Sequence, residues 1–170
     1  MGLKRKAGAL IYHLVAKRLP VSYSSLKLGQ TALRRFCGRL MLAECGKEVN
    51  IEKNAIFSEK VTLGDRSGIG INAKIYGTCH IGDHVMMGAD VTIITRNHEF
   101  ARTDIPMMEQ GFRPEEPVFI GNDVWIGDRV MIMPAYISGT DVSSGGTVVT
   151  KDIPAYTIAA GVPARVLRTR

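Results

Sequence analysis

Histidine, cysteine and the carboxylates are the side chains that could do acid–base or nucleophilic chemistry near neutral pH in this 170-residue chain. Cys37, Cys45 and Cys79 form an odd set without a CxxC pair. They imply neither a disulfide framework nor a zinc knuckle, and a reducing compartment suits them. His80 and His84 stand four apart. On a helix that spacing would let them share a metal, but this stretch reads as coil, where they would not face each other. His98 opens a segment, NHEFARTDIPMMEQGFRPEE (97–116), that breaks the regular pattern on either side of it. Histidine is the natural general base near neutrality, with an unperturbed pKa of about 6.5. Asp104 or Glu99, nearby in sequence, could orient the His98 imidazole, but both read more simply as solvated loop charges.

The pattern that His98 interrupts has a period of six. Ile51, Phe57, Leu63, Ile69, Ile75, Ile81, Met87 and Ile93 are spaced six apart without a break. Two residues before each stands a small or β-branched residue: Val49, Ala55, Val61, Ser67, Ala73, Cys79, Val85 and Val91. Six fits neither the helical nor the coiled-coil period. It fits a short strand and a turn, with two residues on one strand face pointing inward and Gly or Asp allowing the corner. One such unit cannot bury its inward residues alone, so the coils must stack. The spacing resumes at Val118, Val124, Val130, Val142 and Val148, with Ile120, Ile126 and Ile132 two places on. Residues 97–116 therefore leave the stack as a loop, and a long loop in a compact repeat is usually functional.

Charge divides the chain. Residues 1–48 hold ten Lys and Arg against Glu44 and Glu48, so the overall charge of +6 belongs to the first quarter. Leu3, Ala7, Leu10, Ile11 and Leu14 recur at helical spacing, as do Leu33, Phe36, Cys37 and Leu40, with Pro20 and Ser22–Ser25 between the two stretches. Residues 1–48 thus read as two basic amphipathic helices. They are expected to cap an apolar end of the main domain with their basic faces in water. The sharper alternative is contact with an anionic membrane surface. Lys4-Arg5-Lys6 followed by Ala7–Ala16 looks like a secretory signal, but His13 interrupts it and no A-x-A site follows, so it reads as retained. Apolar residues at 45% and charged residues at 22% exclude wholesale disorder. There is no Gly-X-Y period and no uncharged apolar run of about 18 residues, which excludes collagen and a spanning helix. The basic segment has no nucleic-acid reader motif. A cytoplasmic protein is expected, with peripheral attachment at the inner face of the membrane if the helices touch lipid.

The hexads, Asn97-His98, IGNDVWIG (120–127) and VVTKDIPAYTIAAGVPARVLR (148–168) together resemble the hexapeptide-repeat acyltransferases. Within that family the chain is similar to the galactoside and maltose O-acetyltransferases. The NH-x-F…P-M…Q-G pattern of residues 97–111 is closer still to the capsular and exopolysaccharide O-acetyltransferases. The resemblance implies a left-handed parallel β-helix over 49–170, preceded by the helical segment 1–48. It implies a homotrimer with sites between neighbouring subunits, acetyl-CoA as donor, no metal, and an acceptor hydroxyl on a sugar or polysaccharide precursor. His98 matches the family's general base. Trp125, Thr150, Lys151, Arg165 and Arg168 match positions that meet the donor, and Asn72 and Asn97 match the acceptor side. Two other readings are a non-catalytic β-helix scaffold and a carbonic-anhydrase-like enzyme holding zinc on His80, His84 and His98. The segment Pro134–Thr147 is one residue shorter than the family pattern. Continuing the hexad frame through it puts Ser138 and Ser144 at inward places, so that either a bulge shifts the register or hydroxyls line the core.

Overall fold

A computed structural model describes residues 2–137, 142–143 and 145–170, with the backbone alone at 136, 142 and 143. The hexads fold into strands of two or three residues separated by corners. Val61 pairs in parallel with Cys79, Asn50 with Gly68, and Ile56 with Lys74, so the chain returns to its own neighbour every 18 residues, or three hexads. Among the described residues three five-stranded sheets result, beside the two-stranded pair of Asn50–Ile51 with Gly68–Ile69. The first runs Glu44–Cys45, Val61–Leu63, Cys79–Ile81, Val118–Ile120 and Tyr136–Ile137. The second contains Met86–Met87, Trp125–Ile126, Val142–Ser143, Thr157–Ala160 and Arg165–Thr169, and Gly68 joins its lower end through an N–H to the Val85 carbonyl. The third runs Ile56–Phe57, Lys74–Tyr76, Thr92–Ile94, Met131–Ile132 and Val148–Val149. The architecture is all-β with parallel sheets behind a short helical segment. Its last strand pair is antiparallel, Thr157–Ala160 against Arg165–Thr169.

The alternation expected from sequence sets the core. Val49, Ile51, Ala55, Val61, Leu63, Ile69, Ala73, Ile75, Val85, Val91 and Ile93 are all buried, each Val or Ile worth about 1.5–3 kcal/mol. Phe57 and Met87 are only half-buried at the margin of this core. Corners are made by left-handed residues. Glu48, Arg66 and His84 recur 18 apart at one edge and Asn54, Asn72 and Asp90 at another, all with positive φ. Asp, Asn and their like tolerate this conformation at small cost. The stacking is tight enough at Gly70 that a Cβ would lie 1.8 Å from the Gly88 carbonyl oxygen.

Two departures from the 18-residue repeat matter. Across the loop the offset becomes 39, as in Cys79 with Val118, so the excursion adds chain between strands that keep their parallel register on either side. It leaves after Thr95 and closes where the Glu116 N–H donates to the Thr95 carbonyl, one residue earlier at its start than the sequence suggested. In the final turn the offset is 17: Ile120 pairs with Ile137 and Ile132 with Val149. The missing residue is absorbed at the corner 133–135. Ala135 and Ile137 are buried on one side of the segment, and Thr147 and Val149 on the other, so the inward residue is Val149 and not the expected Val148. A register shift therefore accounts for the shortened segment at its described ends. Ser138 and Ser144, and the side chain of Val142, lie outside the described residues.

Helices α1 (Leu3–Leu14) and α2 (Gln30–Met41) close the lower end of the stack. Tyr12, Ala16, Cys37, Met41 and Leu42 join the same buried cluster as Val49 and Ile51. Stacking begins ahead of Val49, because Glu44–Cys45 already pairs with Val61–Leu63. One expectation is reversed. α1 packs through Gly8 and Tyr12, and the stripe Leu3, Ala7, Leu10, Ile11 and Leu14 faces out. Gly8 permits this because a Cβ there would meet the Leu40 Cβ at 2.6 Å. Arg34, counted among the surface cations of α2, is instead wholly buried.

Candidate active site

The loop is built as a short antiparallel ribbon on the corner between the third and first sheets. Arg113 N–H donates to the Asn97 carbonyl and Glu99 N–H to that of Gly111, with His98 opposite Phe112. Gln110 ties the tip, accepting from the Arg102 N–H and donating to the carbonyls of Arg102 and Ile105. Its outer end carries Met107 and Met108, both exposed.

His98 is exposed, and its ring lies on Phe112 with centroids 4.2 Å apart. The Arg96 guanidinium covers the same ring, also 4.2 Å from its centroid. An aromatic face thus sets the imidazole plane and leaves its nitrogens open to solvent. The nearby acids are engaged elsewhere. Asp104 is held by Arg102, whose hydrogen bonds keep its carboxyl below the usual range. Glu99 accepts from the Phe100 and Ala101 amides, which lower its carboxyl likewise.

The loop's return is anchored by Glu115, which sequence reasoning did not single out. It accepts from Lys60 Nζ at 2.6 Å and from the Thr78 N–H at 2.6 Å. The Lys60 bond, then the Thr78 bond, hold its carboxyl down at about 2. Asn97 lines a cavity of about 190 Å³ at the loop root together with Thr95, Arg96, Arg113, Glu116 and Pro134.

Thr150 and Lys151 are exposed on that same corner, directly after Val148–Val149. Two strand steps separate this strand from Thr92–Ile94, which leads into the loop, so the pair stands about 10 Å along the edge from the loop root. Trp125 stands elsewhere, at the far edge of the first sheet where the second begins, and is 50% exposed. The register Trp125–Val142–Ile158–Arg168 puts Arg168 three strands, or about 14 Å, up the same sheet. Arg165 opens that last strand. Among the described residues no acidic side chain pairs with Lys151, Arg165 or Arg168. These exposed cations and a flat apolar indole suit a nucleotide thioester, whose phosphates need charge-assisted donors and whose arm needs apolar surface.

Between His98's edge and Trp125's edge, the outer face of the first sheet carries an open cleft of about 640 Å³. It is lined by Thr62, His80, Phe119, Asn122, Asp123 and Tyr156 among others. His80 stacks on Phe119 and meets the Thr62 hydroxyl at 3.1 Å. His84 is a left-handed corner residue, so the three histidines do not converge. Among the described residues no group of three His, Cys, Asp or Glu side chains could hold a metal. Cys79 is inside the stack, where burial pushes its thiol up to about 12. Asn72 turns the corner on the far side of the third sheet, and its amide is used on both sides, accepting from Asn54 and donating to Asp90.

No family model matches the chain. It is 35% identical over 133 residues to the galactoside O-acetyltransferase of Escherichia coli K12, a match covering 75% of this chain and 64% of that one. It is 33% identical to a putative lipopolysaccharide biosynthesis O-acetyl transferase of the same organism, covering 66% and 59%. The chain thus spans less than two thirds of the length of either relative. A solved galactoside acetyltransferase in complex with coenzyme A superposes with a TM-score of 0.75 at 28% identity, covering 98% of this chain and 80% of that one.

Proposed function

We propose that the chain is a hexapeptide-repeat acyltransferase, on its likeness to the galactoside O-acetyltransferases, and that it moves an acetyl group from acetyl-CoA to a sugar hydroxyl of a surface polysaccharide or its precursor. The coils wind left-handed in this reading, against the usual right-handed crossover preference. Residues 1–48 act as a helical cap and residues 49–170 carry the chemistry.

The observation that carries the reading is the edge on which the loop stands. His98 sits at the loop root with its ring plane fixed on Phe112, and Thr150–Lys151 lie two coils further along the same edge. A donor held by its phosphates near Lys151 and extended along the edge brings its thioester to His98. The acceptor hydroxyl is a poor nucleophile while it keeps its proton. His98 takes that proton on an imidazole nitrogen as the new ester bond forms, and the thiolate of the donor leaves. No acyl-enzyme is needed, since the buried Cys79 thiol is in no position to attack.

One chain leaves the site divided. Trp125 and Arg168 lie beyond the first sheet, and Asn72 beyond the third. A homotrimer would bring Trp125 or Asn72 of one subunit to the loop of the next, with the cleft on the first sheet between them. The trimer is part of the proposal for that reason. Incubation with labelled acetyl-CoA and a panel of glycans tests it. Label is expected on a sugar hydroxyl. Tight donor binding with no transfer to any acceptor would favour a scaffold.

A further inference from the structure

Helix α1 carries an apolar face that the protein does not use. Leu3, Leu10 and Leu14 are 84%, 62% and 58% exposed, and Ala7 and Ile11 are exposed with them. Positions 3, 7, 10 and 14 follow the spacing four, three, four, which aligns them on one side of a helix. The opposite side, Gly8 and Tyr12, is the one packed on the core. Lys4, Lys6 and Arg18 are exposed beside the stripe. The first 43 residues contain nine Lys and Arg and no acid. Of these cations, Arg5 is bound to Glu59, Arg34 is buried and Arg35 donates to the Val49 carbonyl. Lys4, Lys6, Lys17, Arg18, Lys27 and Arg39 have no acidic partner among the described residues.

We infer that α1 is an interfacial helix that seats the protein on an anionic lipid bilayer. It lies in the headgroup plane, with Leu3, Ala7, Leu10, Ile11 and Leu14 at the acyl boundary and the lysines among the lipid phosphates. Twelve residues of helix are about 18 Å long, well short of the roughly 30 Å hydrocarbon core, so the helix lies on the bilayer and does not cross it. No described helix is long and apolar enough to span. Charge selects lipid over a second copy of this chain. Pairing two such stripes would set Lys4, Lys6 and Arg18 against their own kind, whereas an anionic surface receives all of them favourably. The inference does not depend on the acetyl-transfer reading, although an acceptor precursor carried on a lipid would be presented on that same surface.

The test uses the full chain and sedimentation with vesicles of phosphatidylcholine, with or without about one third phosphatidylglycerol. Binding is expected to the anionic vesicles only, and to weaken in about 0.5 M salt, where screening acts within a few ångströms. Leu10→Gln with Leu14→Gln should lower vesicle affinity by about tenfold or more, because two apolar anchors leave the interface. Lys4→Gln with Lys6→Gln should lower it as well. Both variants change side chains that face water, so their melting temperatures should match wild type. Failure of the wild type to bind, or equal binding by the leucine variant, overturns the inference. So does equal binding to neutral vesicles. If the wild type ignores vesicles while the leucine variant sediments as a smaller particle, a second copy covers the stripe instead.

Discussion

Replacing Arg34 by Met should destabilise the fold far more than a surface charge change would. Arg34 is 0% exposed and links the helical segment to the first coil. Its Nε donates to the Ile51 carbonyl at 2.6 Å, and one terminal nitrogen serves the carbonyls of Pro20, Leu19 and Ala16 at 3.0 to 3.5 Å. The other terminal nitrogen faces the buried Glu52 carboxylate at 3.5 Å. Methionine fills much of the volume but strands that carboxylate and the carbonyls. Breaking one side of a buried pair costs about 3–5 kcal/mol. For a chain of this size that is a fall of roughly 6–20 °C in melting temperature.

The assay is thermal unfolding followed by circular dichroism, repeated from neutral to acid pH. Burial works against the Glu52 charge, but hydrogen bonds from Ser22 and Asn50 and the Arg34 charge overcome it and hold the carboxyl below its usual value. A folded pKa below the unfolded one contributes stability that is full above the ordinary carboxylate range, near 4.3, and is lost as pH falls through the depressed folded value. The gap between wild type and Arg34→Met should therefore be widest near neutrality and narrow in acid. Glu52→Gln added to Arg34→Met should recover part of the loss, since no charge is then stranded. A variant melting within about 2 °C of wild type at neutral pH would refute the reasoning.

Other outcomes follow from single contacts. Gly70→Ala puts a methyl against the Gly88 backbone oxygen, where nothing flexible can yield, so the protein should unfold cooperatively at lower urea or fail to accumulate folded. Cys79, whose thiol burial pushes up to about 12, should resist alkylation in the native protein and react fully in denaturant, read by intact mass. Glu115→Gln keeps an acceptor for Thr78 but loses the Lys60 pair, so trypsin should cut the loop after Arg102 several-fold faster than in wild type, with the rest of the chain unaffected.

The coil stack was legible in sequence because its period is strict and every unit repeats one packing rule. Val49, Ile51, Val61 and Ile69 face inward as two apolar positions on one strand face must. The loop was legible by the same token, as a break in phase. What escaped depended on residues far apart in the chain. Phe112 finds His98 only when the ribbon closes, and Glu115 finds Lys60 across 55 residues. The slip at 133–135 changes which of Val148 and Val149 is buried, and a hexad frame carried forward cannot place where a deletion is absorbed. α1 misled because amphipathic spacing reports that a face is apolar, not which face the protein buries. Gly8 and Tyr12 won the core side through a close approach to Leu40 and a hydrogen bond from the Tyr12 hydroxyl to the Ala55 carbonyl.

The most direct measurement of the catalytic claim is steady-state turnover of His98→Ala beside its acetyl-CoA affinity by calorimetry. A general base is worth about 10²–10⁴-fold, so kcat should fall by that factor. Donor affinity should stay within about threefold of wild type, because on this proposal the donor is assigned to Trp125, Thr150, Lys151, Arg165 and Arg168, away from His98. Turnover near the wild-type value would contradict the account.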